Sequence, residues 1–288
     1  MSIPVVDVIP SDWGRWAHTR PELVRQLSGG LTNENYLITA GDELYVLRRN
    51  SAISAALDLD REAEADALHR ADRAGLSAPL VYWDPNHRYL VTRYLKGRPW
   101  RVSGQASLRP LADLLRRIHS LAPINACLDV EEKIARYSQS IDTALDLRAE
   151  LQALQAKIQC HIDSAQSLSG VSVLCHNDLV PANLIACGPD RLYALDWEYA
   201  AMGDPFYDLA VIAEEHSLEE RHLHWLLSAY LGREPLQDDW LRLHHWRVIY
   251  VYLAGLWYTV QCSSGVVQAE RASAVIRRLK QLLRAAGF

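Results

Sequence analysis

Between positions 27 and 91, short β-favouring apolar runs at 36–39, 44–47 and 89–92 surround a stretch near 60–74 whose apolar residues recur at helical spacing. This pattern predicts a small sheet with one helix. Gly41 and Asp42 separate the first two runs as a hairpin turn would, which makes 44–48 the third strand if one precedes Gly29. The segment 93–99, with Gly97 and Pro99, interrupts the pattern and is the natural crossing to a second lobe. After Trp100 the chain turns mainly helical, with periodic stretches at 108–121, 141–164 and 236–260. Only 171–196 departs from that habit: β-rich runs at 171–174 and 192–195 flank a loop carrying His, Asp and Asn, so polar groups are presented from short strands inside a helical surrounding. The expected class is α+β, with a small β-rich amino-terminal lobe over 1–94 and a larger, mainly helical lobe over 95–288.

Composition narrows the picture. A chain of 288 residues, 49% hydrophobic and 23% charged, can bury a full core. The stretch 248–269 has no charged residue, yet it contains Tyr250, Tyr252, Gln261, Ser263, Ser264 and Gly265, and it reads as a buried helix ending near Gly265 rather than a membrane span. A net charge of -5 argues against a nucleic-acid partner, whose phosphate backbone needs a basic surface. The amino terminus lacks a basic segment ahead of an apolar one, and the five cysteines form no CxxC pair, so reduced thiols in a cytoplasmic protein are expected. Nothing in the pattern indicates an oligomeric state.

Candidate chemistry lies in the polar loop. His176 to Asn183 reads H-x-D-x-x-x-x-N, the spacing of a kinase catalytic loop, in which the Asp accepts the proton of a substrate hydroxyl and the Asn holds magnesium. Thirteen residues after Asn183, at the end of a short β-rich run, comes Asp196, a second candidate metal ligand. Magnesium takes hard oxygen ligands and keeps several waters, so an Asn carbonyl, an Asp carboxylate and the phosphates of ATP suffice. Asp178 is then the candidate catalytic base, and Asn183 and Asp196 hold Mg2+.

The loop, followed by Leu195-Asp196-Trp197-Glu198-Tyr199-Ala200 and by the run Gly203 to Ala210, resembles the choline kinase and thiamine kinase branch of the aminoglycoside phosphotransferase family. That resemblance implies a protein-kinase-like two-lobed fold and ATP as donor. Leu27-Ser28-Gly29-Gly30-Leu31-Thr32-Asn33 resembles the family's phosphate-covering hairpin, with Gly29, Gly30, Thr32 and Asn33 near the nucleotide. Arg48 stands where protein kinases place a lysine, on the strand face shared with Leu44 and Val46, and Glu64 matches the helix glutamate that would pair with it; Glu62 competes for that role. By the same resemblance His176 would buttress the catalytic loop and Asp208 would hold it by hydrogen bonds.

The resemblance also places the acceptor pocket at the helix containing Tyr250 and Trp257, which share a face with Trp246 and Gln261. Aromatic faces attract cations, and Glu198, Glu214 or Glu215 would add a charge partner. The family's choline kinases carry a second tryptophan where this chain has Ala254, which keeps ethanolamine, thiamine and other amino alcohols open beside choline. The expected activity is phosphorylation of a small, cationic alcohol. An aminoglycoside or sugar acceptor is the alternative within the same reaction class, and a non-catalytic nucleotide-binding pseudokinase is the alternative outside it.

Overall fold

The computed structural model describes residues 7–27, 32–50, 57, 59–142 and 146–285. Strands β1 (Glu22–Leu27), β2 (Glu34–Ala40), β3 (Glu43–Arg49), β4 (Leu80–Trp83) and β5 (Tyr89–Arg93) form an antiparallel sheet in the order β1-β2-β3-β5-β4. The expected hairpin joins β2 to β3. Its register pairs Ala40 with Glu43, and Gly41 sits at φ 62°, a left-handed conformation that glycine adopts without a Cβ clash. One face of the sheet closes on Tyr36, Ile38, Tyr45, Leu47, Tyr89 and Val91. The alternation that puts Tyr45 and Leu47 into this cluster sends Arg48 to the opposite face, toward the rest of the molecule.

Helix α1 (Arg61–Arg73) starts where Asp60 accepts hydrogen bonds from the backbone N–H groups of Glu62 and Ala63. Its buried side, Ala63, Ala67, Leu68 and Ala71, joins Leu76 and Leu90 in the larger core that runs through the helical lobe. The chain then leaves the sheet along 94–97 and forms β6 (Arg98–Pro99), which pairs with β8 (Leu184–Ala186) and, through it, with β9 (Leu192–Ala194). Gly97 is required by close approach here: a Cβ would fall 2.5 Å from Ile185 Cγ2 and 2.7 Å from both Ala186 O and Cys187 Sγ. Gly97→Ala is therefore expected to cost about 1–3 kcal/mol of stability through overpacking. Urea unfolding measures it, and an unchanged midpoint would mean that the crossing can shift away from β8.

The helical lobe comprises α2 (Gln105–His119), α3 (Val130–Ser140), α4 (Asp146–Leu168), α5 (Pro205–Glu215), α6 (Glu220–Leu231), α7 (Gln237–Ser263) and α8 (Ala269–Ala285), with the two-stranded pair β7 (Val173–Cys175) and β10 (Ala201–Gly203). Helix α7 is the central element, packed by α4, α5 and α8. Gly255 lets α4 come close, since a Cβ there would lie 3.3 Å from Leu151 Cδ2. The charge-free stretch is thus a buried helix followed by Gly265 at φ 70°, as expected. Among the described residues no helix is long and apolar enough to cross a membrane.

Candidate active site

Strand β7 delivers the chain to the loop 176–183, and α5 fixes the loop from behind. Asp208, fully buried in the first turn of α5, accepts the N–H of His176 at 2.9 Å and that of Asn177 at 2.7 Å. Asn177 has φ 63°, a strained left-handed conformation for a non-glycine residue, and these bonds hold it there. His119 of α2 lies 3.0 Å from the same carboxylate. Burial alone would raise the Asp208 pKa, but the hydrogen bond from His119 and the loop N–H groups outweigh it and hold the carboxyl below its ordinary range.

The His176 ring is buried, which lowers its pKa to about 4 and keeps it neutral. Its Nε2 donates to Leu195 O at 3.0 Å and its Nδ1 accepts from the Asp178 N–H at 3.3 Å, so one ring ties the loop to the segment that carries Asp196.

Asp178 and Asn183 face each other: Asn183 Nδ2 donates to Asp178 Oδ2 at 2.7 Å and to Asp178 O at 3.0 Å. With its nitrogen engaged, the Asn183 amide has its carbonyl oxygen left to face a cation. Asp196, at φ 62°, places Oδ1 2.6 Å from Arg48 Nη1. Arg48 is also paired with Glu64, while Glu62 lies on the exposed side 3.0 Å from His87. Between the two glutamates the sequence left open, Glu64 is the partner.

Glu198, a candidate for the acceptor side, has its Oε2 accepting from Asn33 Nδ2 at 2.7 Å and from Arg61 Nη1 at 3.0 Å, and Arg61 also bonds Glu64 at 2.6 Å, while the Glu198 charge still acts on Asp178 and Tyr199. The carboxylate is thereby drawn toward the sheet and α1, since a buried anion settles against the available donors. The same contact engages the Asn33 amide nitrogen with Glu198. Thr32 is buried beside it, and Gly29 and Gly30 lie outside the described residues.

Four carboxylates, Glu64, Asp178, Asp196 and Glu198, therefore share this region with two guanidiniums, Arg48 and Arg61. Burial, reinforced by the charges of Asp196, Glu198 and Glu215, pushes Asp178 well above the ordinary carboxylate range. Burial and the neighbouring Asp196 raise Glu198 to about 7. Burial also raises Asp196, although Arg48 opposes it. An excess of buried negative charge beside an amide oxygen fits a hard divalent cation held through Asn183 and Asp196.

Aromatic groups also lie within reach of the Asp178 charge, which acts on Tyr199, Tyr207, Tyr250 and Tyr258. The Tyr250 hydroxyl donates to Glu215 Oε1 at 2.7 Å, the Trp257 indole N–H donates to the Tyr199 hydroxyl at 2.8 Å, and Tyr207 meets Tyr250 edge-on with centroids 5.9 Å apart. Tyr250 is thus tied to Glu215 and Tyr207, and Trp257 to Tyr199. Of the acidic candidates, Glu215 belongs here, whereas Glu214 is clamped by Arg247 at 2.6 Å and Arg278 at 2.7 Å. Trp246 packs against Tyr207, and Gln261 is buried farther along the same helix. Sequence reasoning did not single out Tyr199, Tyr207 and Tyr258. The first sits three positions after Asp196, which was the available signal.

Residues 23–246 match the model of the phosphotransferase enzyme family. Protein LicA of Haemophilus influenzae is 29% identical over 212 residues, covering 71% of this chain and 62% of that protein's own length. Choline kinase LicA from Streptococcus pneumoniae superposes with a TM-score of 0.74 at 23% identity, covering 91% of this chain and 95% of that one. A choline/ethanolamine kinase family protein from Mesorhizobium loti superposes with a TM-score of 0.75 at 23% identity, covering 98% and 91%.

Proposed function

Because the chain belongs to the phosphotransferase enzyme family, we propose that it moves the γ-phosphoryl group of ATP onto the hydroxyl of a small cationic alcohol of the choline or ethanolamine type. The observation that supports this reading is that Asp178, hydrogen-bonded to Asn183, feels the charges of both Asp196 and Glu215, the latter bonded to Tyr250. The nucleotide occupies the cleft between the lobes, taken as 1–94 and 95–288, with Arg48 directed at its phosphates and Glu64 orienting Arg48. Asn183 and Asp196 would hold a magnesium ion, which would supply positive charge to offset that of the phosphates.

The rest is done by the chain's own groups. The Asp178 carboxylate accepts the proton of the acceptor hydroxyl as its oxygen bonds to the γ-phosphorus, and the bond from that phosphorus to the bridging oxygen of ADP breaks. The loop makes this possible by positioning: Asp208 fixes the backbone at 176 and 177, and Asn183 fixes the Asp178 carboxylate. The rings of Tyr250 and Trp257, with Glu215 as counter-charge, suit a cationic nitrogen, whereas the Tyr199 ring already has the Lys133 ammonium 5.8 Å from its centroid. ATP and free thiols at Cys127, Cys160, Cys175, Cys187 and Cys262 accord with a cytoplasmic enzyme.

The test is a phosphorylation screen of choline, ethanolamine, thiamine, a sugar panel and aminoglycosides, ranked by kcat/KM because specificity resides in that ratio. A small amino alcohol is expected to rank first, and Glu215→Gln to lower its kcat/KM by about tenfold while sparing ATP binding. A neutral sugar as the best acceptor would overturn the pocket reading and leave phosphoryl transfer standing. Absence of any Mg-ATP-dependent transfer would favour the non-catalytic alternative.

A further inference from the structure

Away from the cleft, α4 and α7 bring three imidazoles together: His161 from the first helix, His244 and His245 from the second. His161 Nδ1 and His245 Nδ1 are 2.9 Å apart, with ring centroids at 5.0 Å. The His244 ring lies 5.7 Å from that of His161 and 5.9 Å from that of His245. The three rings are partly buried. Burial lowers His161 and His244 to about 4 and lowers His245 in the same direction, so at neutral pH the facing pair is two uncharged rings with one N–H between their Nδ1 atoms. The buried Nε2 of His244 has no hydrogen-bond partner among the described residues. The charged groups acting on His244 are Arg247 and Glu214, and Glu214 is already clamped by Arg247 and Arg278.

We propose that His161 and His245 form a site for a divalent late transition-metal ion of the Zn2+ type, with His244 adjacent as a third imidazole. Neutral imidazole is the favoured ligand for zinc, copper and nickel, and two nitrogens held about 2.0–2.1 Å from a tetrahedral ion sit about 3.3 Å apart. The observed pair reaches that spacing by opening a few tenths of an ångström and by each ring turning about 35°, so that both nitrogen axes leave the N–N line and meet at the ion. The ring whose Nδ1 carries the hydrogen takes the tautomer with the hydrogen on Nε2, so coordination needs no net loss of a proton. The ion would tie α4 to α7, the helix that also carries Tyr250 and Trp257. A second cluster, His119, Cys175 and Asp208, also has ligand atoms close together, but Asp208 is already engaged by His119 and the catalytic-loop backbone.

The experiment uses the full chain, stripped with a chelator and held in excess Mg2+ so that the carboxylate site in the cleft is saturated. Titration with Zn2+ is expected to raise the melting temperature by several degrees at micromolar metal, and His161→Gln and His245→Gln to weaken binding at least tenfold with their metal-free melting temperatures unchanged. Cu2+ bound to the wild-type protein is expected to show hyperfine coupling to two imidazole nitrogens, a measurement that stands even if a variant does not fold. No thermal shift, an equal shift in the variants, or a copper spectrum without nitrogen coupling would overturn the proposal. None of these readouts depends on phosphoryl transfer, so the proposal stands or falls apart from the kinase reading.

Discussion

Asp178→Asn is expected to leave Mg-ATP affinity within a factor of about two and to lower kcat by about 10²–10⁴, the range general-base catalysis contributes. The substitution keeps size and shape, and the oxygen of the new amide can still accept the Asn183 Nδ2 hydrogen bond that holds Asp178 at 2.7 Å. What it removes is the capacity to take the acceptor's proton. The affected step occurs after both substrates are bound, so the loss falls on kcat and kcat/KM together, the signature of an interaction made only in the transition state. Nucleotide titration calorimetry beside steady-state kinetics separates the two quantities. If ATP affinity fell in parallel with kcat, Asp178 would be acting on the metal or the phosphates, and the division of roles between it and Asp196 would be wrong.

Much of this arrangement was legible before the structure, for reasons that differ between elements. Three strands of the small sheet, β2, β3 and β5, were legible as short β-favouring apolar runs, and period-two alternation places Arg48 on the face of β3 opposite Tyr45 and Leu47; β1, exposed along most of its length, and β4, half-buried throughout, have no dry face alternating with a wet one to be read. The loop 176–183 was legible because its chemistry fixes residue types at fixed spacing, and the ordering of Glu64 toward Arg48 followed only from the family resemblance, with Glu62 equally placed by local pattern. Helix α5 was not legible as a helix: Phe206 to Ala213 are buried on every side, so no amphipathic period exists to be read.

Glu198 shows the other limit. Its distance along the chain from Tyr250 and Trp257 says nothing about which side of Asp196 its carboxylate faces. That direction is decided by Asn33 and Arg61, which are 165 and 137 residues away in sequence. Long-range pairing of buried charges depends on the assembled fold, and local patterns do not encode it.

Arg48→Ala is expected to be the most destabilising single change in the cleft, at about 3–5 kcal/mol near neutral pH, the cost of leaving buried carboxylates without their partner. Arg48 is 5% exposed and lies between Glu64 and Asp196. Its removal leaves Glu64, Asp196 and Glu198 facing Arg61 as the remaining nearby guanidinium. The sign of the pH dependence follows from the direction in which these carboxyls move. Asp196 and Glu198 already lie above their ordinary values through burial, and loss of the cation that opposes this raises them further. A carboxyl raised in the folded protein binds its proton at a pH where the unfolded chain has released it, so stability is lost as pH rises from the unfolded value toward the folded one. The deficit of the variant relative to wild type should therefore be small near pH 4–5 and grow toward pH 7.5, as measured by urea unfolding at both ends. Arg48→Lys should recover part of the loss, because it restores the charge but not a fork that reaches Glu64 and Asp196 together. A deficit under about 1 kcal/mol, or one that does not change with pH, would show that Arg48 acts on the nucleotide alone and that the buried carboxylates are held by other means.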